Sequence, residues 1–377
     1  MTWLLSLSLL WYGWVMLRRW LAWQKLPETS VPSTFMPSTK ISVIIPVRNE
    51  YERIIKLLSD VEHQKYPQHL LEVLVIDDHS DDGTLEQVQQ HVRTSQLSYK
   101  VLKLNDYVKE GGKKAAVQVG VGEAQGTLLV LTDGDCRVEP EWLREYAHLF
   151  ETEQPYFISG PVCFDPTPTH FERMQLVEFA SLIGVGGASI AMNSPNMCNG
   201  ANLAYTKDVF QQVNGFAGNE NIASGDDEFL LHKVDKAFPG RVKFLKNNKA
   251  IVYTLARKTL TSFVQQRVRW ASKWKSYQSL QVQLVALCAF MVNFLLFLAL
   301  PLVLWGSLAL KAFLFAYLIK FGIDLLFLNS ILSFMGKKRY LLYILPLQLV
   351  YIPYVVFTAI YGLFGRYSWK GRTIRTP

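Results

Sequence analysis

The chain has 377 residues, of which 50% are hydrophobic and 19% are charged, and its formal net charge is +8. A soluble domain carries about a quarter charged residues, so the composition argues against a protein that lies wholly in water. The sequence has no arginine-rich tract or basic helix with base-stacking aromatics. We therefore expect an anionic membrane surface, and not a nucleic acid, as the partner.

The N-terminal segment is predicted to be a membrane anchor. Residues 3–23 are apolar apart from Arg18 and Arg19. A cleaved signal peptide carries its positive charge before the apolar run, whereas here the arginines follow it, so an uncleaved anchor fits better. Basic residues stay on the cytoplasmic side, which places the end of the anchor in the cytoplasm. We assign residues 1–24 to this anchor and residues 25–39, which contain prolines and serines, to a linker.

Short β-rich runs alternate with helical stretches in the segment that follows. The predicted strands are residues 41–47, 71–76, 99–104 and 127–132, and the predicted helices are a stretch ending at residue 62, then residues 84–92 and 113–124. Short apolar runs between amphipathic helices are typical of a parallel sheet that is covered on both faces. The sequence therefore predicts an α/β fold.

Acidic side chains collect where three of these strands end. The first strand runs into Arg48-Asn49-Glu50, the second into Asp77-Asp78, and the fourth into Asp133-Gly134-Asp135. Ligands of open α/β sheets bind at this edge, and carboxylates crowded there need a cation. Two carboxylates in a D-x-D suit Mg²⁺ or Mn²⁺ shared with substrate phosphates. A solvated turn is the alternative, and the buried strand directly before this D-x-D favours the metal.

Three further segments place charge near helix ends. Gly111-Gly112-Lys113-Lys114 opens a helix, where an anion would be favoured, although a surface turn is the alternative. Gly225-Asp226-Asp227 begins another helix, where acids are also favoured by the helix dipole alone. Gln266, Arg269 and Trp270 share one helix face just before the apolar C-terminal region. Anchoring at the membrane interface is the alternative for this last group.

Three apolar blocks follow, at residues 282–310, 312–334 and 340–364, and each is long enough to cross a bilayer. Lys320 and Asp324, four residues apart, predict an internal ion pair in preference to a transport path.

The loop 336–339 and the tail 366–377 are both basic and are expected in the cytoplasm. Both can be there only if the last block enters and leaves on one side, which Pro346 and Pro353 permit. We predict two full crossings after the α/β domain.

Taken together and in this order, the segments resemble glycosyltransferase family 2, the inverting enzymes with a GT-A fold. The resemblance covers about residues 40–277, and the apolar segments around it resemble the ceramide glucosyltransferase and polysaccharide synthase branches. It implies a GT-A domain over residues 40–255 and a juxtamembrane helix over 256–280, then a transmembrane region over 281–365 and a basic tail over 366–377. The implied role is in cell-envelope polysaccharide or glycolipid biosynthesis.

The resemblance also implies roles for individual residues. Asp227 aligns with the family's catalytic base, and Asp226 occupies the position where the family usually has Glu. Asp135 and Asp133 align with the family's metal ligands. The donor-binding positions are Pro46, Arg48, Glu50, Asp78, Lys113, Asp133 and Arg269. The acceptor-binding positions are Asn199, Gly200, Gln266 and Trp270.

The expected activity is inverting transfer of a sugar from a nucleotide sugar to a lipid or glycan hydroxyl. The expected donor is a UDP-sugar. Mg²⁺ or Mn²⁺ is the expected cofactor, and the expected location is the cell membrane, as a multi-pass protein with a cytoplasmic catalytic domain. Two alternatives are a polyprenyl-phosphate sugar transferase, which would share the donor site, and a catalytically inactive membrane scaffold.

Overall fold

The computed structural model describes residues 1–109, 111–218, 225–272, 279–364, 366–369 and 372–375. The helices are α1 (Thr2–Lys25), α2 (Ile54–Glu62), α3 (Thr84–Val92), α4 (Lys113–Glu123), α5 (Trp142–Glu153), α6 (His170–Ala191), α7 (Lys207–Gln212), α8 (Asp226–Ala237), α9 (Leu260–Ala271), α10 (Leu280–Leu304), α11 (Leu310–Phe334) and α12 (Ile344–Phe364). The strands are β1 (Ile41–Val47), β2 (Leu71–Asp77), β3 (Ser98–Lys103), β4 (Leu128–Leu131), β5 (Phe157–Ser159), β6 (Val162–Phe164), β7 (Leu203–Thr206), β8 (Val242–Phe244), β9 (Val252–Thr254), β10 (Arg366–Trp369) and β11 (Arg372–Arg375).

Seven of the strands form one sheet in the order β3-β2-β1-β4-β7-β5-β8. Strands β1 to β4 pair in parallel, and every residue of β2 is buried, as expected for a sheet covered on both faces. The predicted α/β fold and the four predicted strands are therefore confirmed. Beyond these four strands the sheet is mixed, because β7, which was not predicted, runs antiparallel to both β4 and β5.

The antiparallel direction of β7 has a consequence for the site. In the register of this pair Leu131, at the end of β4, lies opposite Leu203, at the start of β7. The loop that enters β7 therefore lies at the same edge as the residues that follow β4. The ends of β1 and β2 meet at this edge too, because Val47 pairs with Asp77.

Four of the described helical segments are long and apolar enough to cross a membrane: α6, α10, α11 and the stretch from Lys338 to Gly362. In α6, 72% of the most apolar window is buried inside the protein, against 28–33% in the other three. The apolar character of α6, which the sequence analysis did not single out, thus reflects burial in the protein core. The remaining three coincide with the three apolar blocks predicted at the C-terminus.

Helix α1 is not among these four by composition, but it packs against α10 and α11. Its opposite side exposes large apolar side chains at helical spacing: Trp3, Leu7, Leu10, Trp14, Leu17 and Leu21, with Trp3 85% exposed. A helix that is apolar on its covered side and on its exposed side is typical of a membrane environment. The packing and this exposed stripe, more than the mean hydropathy, support the predicted anchor.

A polar cluster joins α1, α11 and α12 inside the apolar region. The Asp324 carboxylate accepts a hydrogen bond of 2.5 Å from the Tyr12 hydroxyl and one of 2.6 Å from the Lys320 ammonium. Gln348 donates to the same carboxylate and accepts from Lys320 at 3.2 Å. The predicted internal ion pair between Lys320 and Asp324 is confirmed. Its polar groups are directed at one another, as buried polar groups in a membrane require.

Both ends of α12 lie beside the globular domain. Directly before α12, the Tyr343 hydroxyl accepts a hydrogen bond of 2.8 Å from Arg173 of α6. Near its other end, Gly362 contacts Ala271 at the end of α9, and β10, which follows α12, also contacts α9. Since α12 has 21 residues and is about 32 Å long, contacts at both of its ends indicate that it runs along the domain.

Candidate active site

One cleft of about 360 Å³ opens at the edge of the sheet where β1, β2 and β4 end, and α6, α8 and α9 form its other walls. The structure brings every residue of the predicted site into the lining of this cleft. These residues are Pro46, Arg48, Glu50, Asp78, Lys113, Asp133, Asp135, Asn199, Gly200, Asp227, Gln266, Arg269 and Trp270. They come from segments that are far apart in the chain, and the roles assigned to them remain predictions.

The loops after β1 and β2 hold each other in place. The side-chain amide of Asn49 donates to the Asp81 carboxylate at 2.8 Å, and the Asp81 backbone N–H donates back to Asn49 at 3.1 Å. Asn49 and His79 both adopt a positive φ, of 55° and 61°, a conformation that functional loops often retain. In this frame Arg48 donates to the backbone oxygen of Asp78 at 3.1 Å. The buried carboxylate of Asp78 thereby lies at the wall of the cleft.

The acids after β4 each face a basic side chain. Asp133 accepts a hydrogen bond from the Lys113 ammonium at the start of α4, and Asp135 lies 3.9 Å from the Arg53 guanidinium. Burial lowers the pKa of Lys113, but the neighbouring carboxylates, Asp133 foremost, outweigh it and raise this pKa above its ordinary value. Lys113 is therefore charged at neutral pH.

Gly134 is required here by packing. A Cβ added at this position would lie 2.8 Å from Val47 Cγ1, at the end of β1. The absence of a side chain lets the turn after β4 pack against β1.

Asp227 lies in the first turn of α8 and is fixed by backbone groups. Its Oδ2 accepts a hydrogen bond of 2.7 Å from the Gly200 N–H, and its Oδ1 accepts one of 3.0 Å from the Glu228 N–H. A Cβ added at Gly200 would lie 3.1 Å from Lys113 Nζ and 3.2 Å from Asp227 Oδ2. The loop before β7 thus packs closely between the start of α4 and the start of α8.

Carboxylates outnumber basic groups in the cleft. The acidic lining residues are Glu50, Asp78, Asp133, Asp135, Asp226, Asp227 and Glu228, and the basic ones are Arg48, Lys113, Arg257 and Arg269. Such an excess is stabilised by a bound cation. Within the described parts of the chain, no three His, Cys, Asp or Glu side chains are grouped closely enough to hold a metal ion. The residues fit a Mg²⁺ or Mn²⁺ that takes one or two carboxylates and completes its shell with substrate phosphates and water.

The opposite end of the cleft is apolar and aromatic. Phe179, Leu182 and Ile183 of α6 line it, and the Trp270 ring lies 5.9 Å from that of Phe179. Gln266, Arg269 and Trp270 all reach the cleft from α9, as their shared helix face predicted. The cleft therefore has a charged end at the sheet and an apolar end next to the helices.

Asn202, in the Asn199-Gly200-Ala201-Asn202 segment, has a structural role. It is fully buried, and its Nδ2 donates to the backbone oxygens of Pro161 and Ala250 at 2.7 and 2.8 Å. Its Oδ1 accepts from Trp142 at 3.0 Å and from Tyr146 at 2.8 Å. Asn202 therefore holds this segment in place, while Asn199 lines the cleft.

Arg257, a basic residue that lines the cleft together with Asp135 and Glu50, was not predicted from the sequence. The Gln175 side chain fixes its backbone, donating to the Arg257 oxygen at 2.8 Å and accepting from its N–H at 3.0 Å. The only sequence signal was a basic residue three positions before the start of α9, which is explained equally well as charge at the membrane interface. The apolar wall contributed by α6 was missed as well.

Comparison with known proteins gives two family matches. The model of "Glycosyl transferase family 2" matches residues 42–213, and that of "Glycosyl transferase family group 2" matches residues 128–361, which is more than half of the chain. Together they span the sheet, the cleft and most of the apolar helices.

Individual relatives and one solved structure agree with these matches. The glycosyltransferase AglE of Haloferax volcanii is 29% identical over 206 residues, 52% of this chain and 62% of the relative. The undecaprenyl-phosphate 4-deoxy-4-formamido-L-arabinose transferase of Pseudomonas savastanoi is 30% identical over 127 residues, 33% of this chain and 36% of the relative. The matches thus span less than two thirds of either relative. The mannosyltransferase PcManGT from Pyrobaculum calidifontis, solved in complex with GDP-Man and Mn²⁺, shares the fold with a TM-score of 0.60 at 18% identity, over 93% of this chain and 99% of that one.

Proposed function

The chain belongs to glycosyltransferase family 2, and we propose that this membrane enzyme transfers a sugar, with inversion, from a UDP-sugar to a hydroxyl of a lipid or glycan acceptor. The observation that carries the proposal is the placement of Asp227. Its carboxylate is held by two backbone N–H groups in a cleft that also contains Lys113, Asp133 and Asp135. A fixed base beside a site suited to phosphates is what a single displacement at a sugar carbon needs.

The charged end of the cleft binds the donor. Asp78 is presented at the wall where it can accept hydrogen bonds from the base or ribose, and Pro46, Arg48 and Glu50 complete this wall. Lys113 and Arg269 face the diphosphate and stabilise the negative charge that grows on it as the bond to the sugar breaks. Asp135 and Asp133 would hold Mg²⁺ or Mn²⁺ together with the donor phosphates, and the ion, when bound, adds positive charge at the leaving group.

The position of Asp227 determines which group takes the proton of the acceptor hydroxyl. The acceptor oxygen attacks C1 of the sugar from the side opposite the diphosphate, and its proton passes to the Asp227 carboxylate. The bond between C1 and the acceptor oxygen forms as the bond to the diphosphate breaks, and the electron pair of that bond leaves with the diphosphate. One such displacement converts an α-linked donor into a β-linked product.

The apolar end of the cleft supports a lipid acceptor. Trp270 offers an aromatic face, and the neighbouring wall is formed by Phe179 and Leu182 of α6. Helix α6 contacts α11 and α12, which are apolar membrane helices, so an acceptor that reaches this wall can keep its tail among lipids. Gln266 and Asn199 are the polar side chains that would orient the acceptor headgroup.

A polyprenyl phosphate is the second acceptor class that the cleft supports. Arg257 adds a guanidinium to the lining, beyond the basic groups assigned to the donor. Guanidinium groups suit phosphate oxygens, and one relative is named as an undecaprenyl-phosphate sugar transferase. A phosphate acceptor would not need Asp227 to remove a proton, so the two classes make different predictions for that residue.

Purified enzyme in lipid vesicles, supplied with radiolabelled UDP-glucose, UDP-N-acetylglucosamine or GDP-mannose, tests both classes. Ceramide and diacylglycerol offer hydroxyl acceptors, and undecaprenyl phosphate offers a phosphate acceptor. We expect label in a hydroxyl-linked lipid from a UDP-sugar. Label only in polyprenyl phosphate would replace the first proposal by the second, and the absence of both transfer and donor hydrolysis would contradict both.

Trp270→Ala is expected to reduce acceptor use more than donor use, because an aromatic face suits stacking on a sugar ring or a lipid headgroup. Slow hydrolysis of the nucleotide sugar without acceptor provides the internal reference. We expect transfer to fall about tenfold or more relative to hydrolysis. An equal fall of both rates would mean that Trp270 has a structural role only.

The membrane topology that we propose places the domain and the tail in the cytoplasm. Helices α10 and α11 form a hairpin of two crossings, α1 crosses once, and α12 stays on the side of the domain. The contact of Tyr343 with Arg173, directly before α12, and that of Gly362 with Ala271 support this placement. The basic residues Arg18 and Arg19, at the domain end of α1, agree with this orientation.

Cysteine labelling tests the topology in a variant without the four native cysteines, Cys136, Cys163, Cys198 and Cys288. A cysteine at Ser368 should react with a membrane-impermeant reagent only after permeabilisation. A cysteine at Ser307, between α10 and α11, should react in intact cells and serves as the control. Labelling at residue 368 in intact cells would place the tail outside and show that α12 crosses.

A further inference from the structure

Arg267 lies behind the apolar end of the cleft and does not line it. Its side chain is 3% exposed and is enclosed by α6, α9 and α12. Its Nε donates to Glu178 Oε1 at 3.0 Å and its Nη2 donates to Glu178 Oε2 at 2.5 Å. The Tyr354 hydroxyl donates to the same Oε1 at 3.2 Å. This bidentate pair, with its third partner on α12, allows one orientation of the guanidinium.

The same guanidinium contacts two of the side chains assigned to the acceptor. Its Nη1 donates to Gln266 Oε1 at 2.6 Å, and its central carbon lies 4.3 Å from the centre of the Trp270 ring. The first contact fixes the direction of the Gln266 amide, and the second is a cation–π contact across one face of Trp270. Arg267 therefore supports from behind the two groups that face the acceptor.

We infer that Glu178, Arg267 and Tyr354 form a positioning unit through which the apolar helix α12 sets the orientation of Gln266 and Trp270. The unit contains no group that touches substrate. It connects a helix packed among the membrane segments to the acceptor end of the cleft, so a shift of α12 is transmitted to the acceptor site. The inference rests on the proposed acceptor role of these two residues.

Stability alone is a weak explanation for this arrangement. Removing two charges from water costs free energy that a buried ion pair only partly regains, and apolar residues of similar size are often as stable. What an ion pair with satisfied hydrogen bonds provides, and an apolar contact does not, is a fixed direction for each group. The side chains that gain a fixed direction here are Gln266 and Trp270, which line the cleft.

Tyr354→Phe tests the inference with a minimal change, because it removes one hydroxyl and retains the ring. Tyr343→Phe is the matched control. The Tyr343 hydroxyl also joins this part of the chain to α6, accepting from Arg173 at 2.8 Å, but it lies away from the cleft. Tyr354→Phe removes a hydrogen bond to a charged carboxylate, and Tyr343→Phe removes one from a charged guanidinium together with the contact to His170.

Amide hydrogen exchange of the full-length protein in lipid nanodiscs, without substrate, provides the first readout. We expect Tyr354→Phe to raise exchange several-fold in peptides covering α9, and Tyr343→Phe to leave these peptides unchanged. Equal exchange of α9 in Tyr354→Phe and wild type would overturn the inference. Because no substrate is present, this result does not depend on the proposed reaction.

Kinetics provide the second readout, with UDP-sugar as donor and diacylglycerol or undecaprenyl phosphate in the nanodisc as acceptor. We expect Tyr354→Phe to raise the apparent KM for the acceptor by roughly tenfold, the order expected for a lost hydrogen bond to a charged group. Donor hydrolysis without acceptor should stay within about twofold of wild type. A parallel loss of hydrolysis and transfer would identify the unit as structural and overturn the inference.

Discussion

Asp227→Asn is expected to lower sugar transfer by about 10²–10⁴-fold, the usual contribution of a general base, while the protein stays folded and binds its donor. An amide has nearly the shape of a carboxylate, and its oxygen can still accept one of the two backbone hydrogen bonds that hold residue 227. It cannot take a proton from an acceptor hydroxyl. The loss should therefore appear in kcat more than in donor affinity.

Asp235→Asn provides the matched control, because it makes the same change on the same helix two turns away from the cleft. Initial rates of both variants, together with donor binding by calorimetry, separate chemistry from folding. Near-normal turnover of Asp227→Asn with a hydroxyl acceptor would remove Asp227 from its role as base. Full turnover with a polyprenyl phosphate would favour the phosphate-acceptor class.

Asp135→Ala is expected to weaken donor binding and to lower activity by about 10²-fold or more, since a metal ion at a leaving group contributes several kcal/mol. In wild type, EDTA should stop transfer, and added Mn²⁺ or Mg²⁺ should restore it. The structure supports this because Asp135 lies in a cleft where carboxylates exceed basic groups.

Asp208→Ala removes an exposed carboxylate on α7 and should leave both activity and metal dependence unchanged. Binding of Mn²⁺, followed by its electron paramagnetic resonance signal in the presence of UDP, gives a readout separate from turnover. Full activity of the wild type in chelator would show that the D-x-D holds no catalytic metal.

The order of the first strands and helices could be predicted because their signals are local. The β-branched run at Ile41–Val47 and the amphipathic helix at Thr84–Val92 have the predicted bounds. The direction of β7 could not be predicted, because it depends on how the chain returns after α6. Nor could hydropathy distinguish α6 from a membrane span, since a helix buried by protein and one buried by lipid have the same composition.

The acidic wall at the sheet was predictable from the positions of acids at strand ends, because parallel strands bring their carboxyl ends to one edge. The sequence does not show which side chains form hydrogen bonds or ion pairs with one another. Glu178 and Arg267 are separated by 89 positions, and Asn202 joins segments on both sides of it in the chain. Such contacts are set by the packing of whole elements and become visible only in the structure.

The hydrogen bond between Tyr12 and Asp324 links residues separated by 312 positions, and it fixes the order in which the protein can be completed. At synthesis rates of about 5–20 residues per second, the ribosome needs roughly 15–60 s to make the chain between them. During that interval the N-terminal helix has no α11 or α12 to pack against, while the whole catalytic domain emerges and can fold. Completion of the helical bundle is therefore one of the last events of biogenesis. A chain that terminates before α11 would retain the sheet and most of the cleft but would leave the first helix without its polar partner.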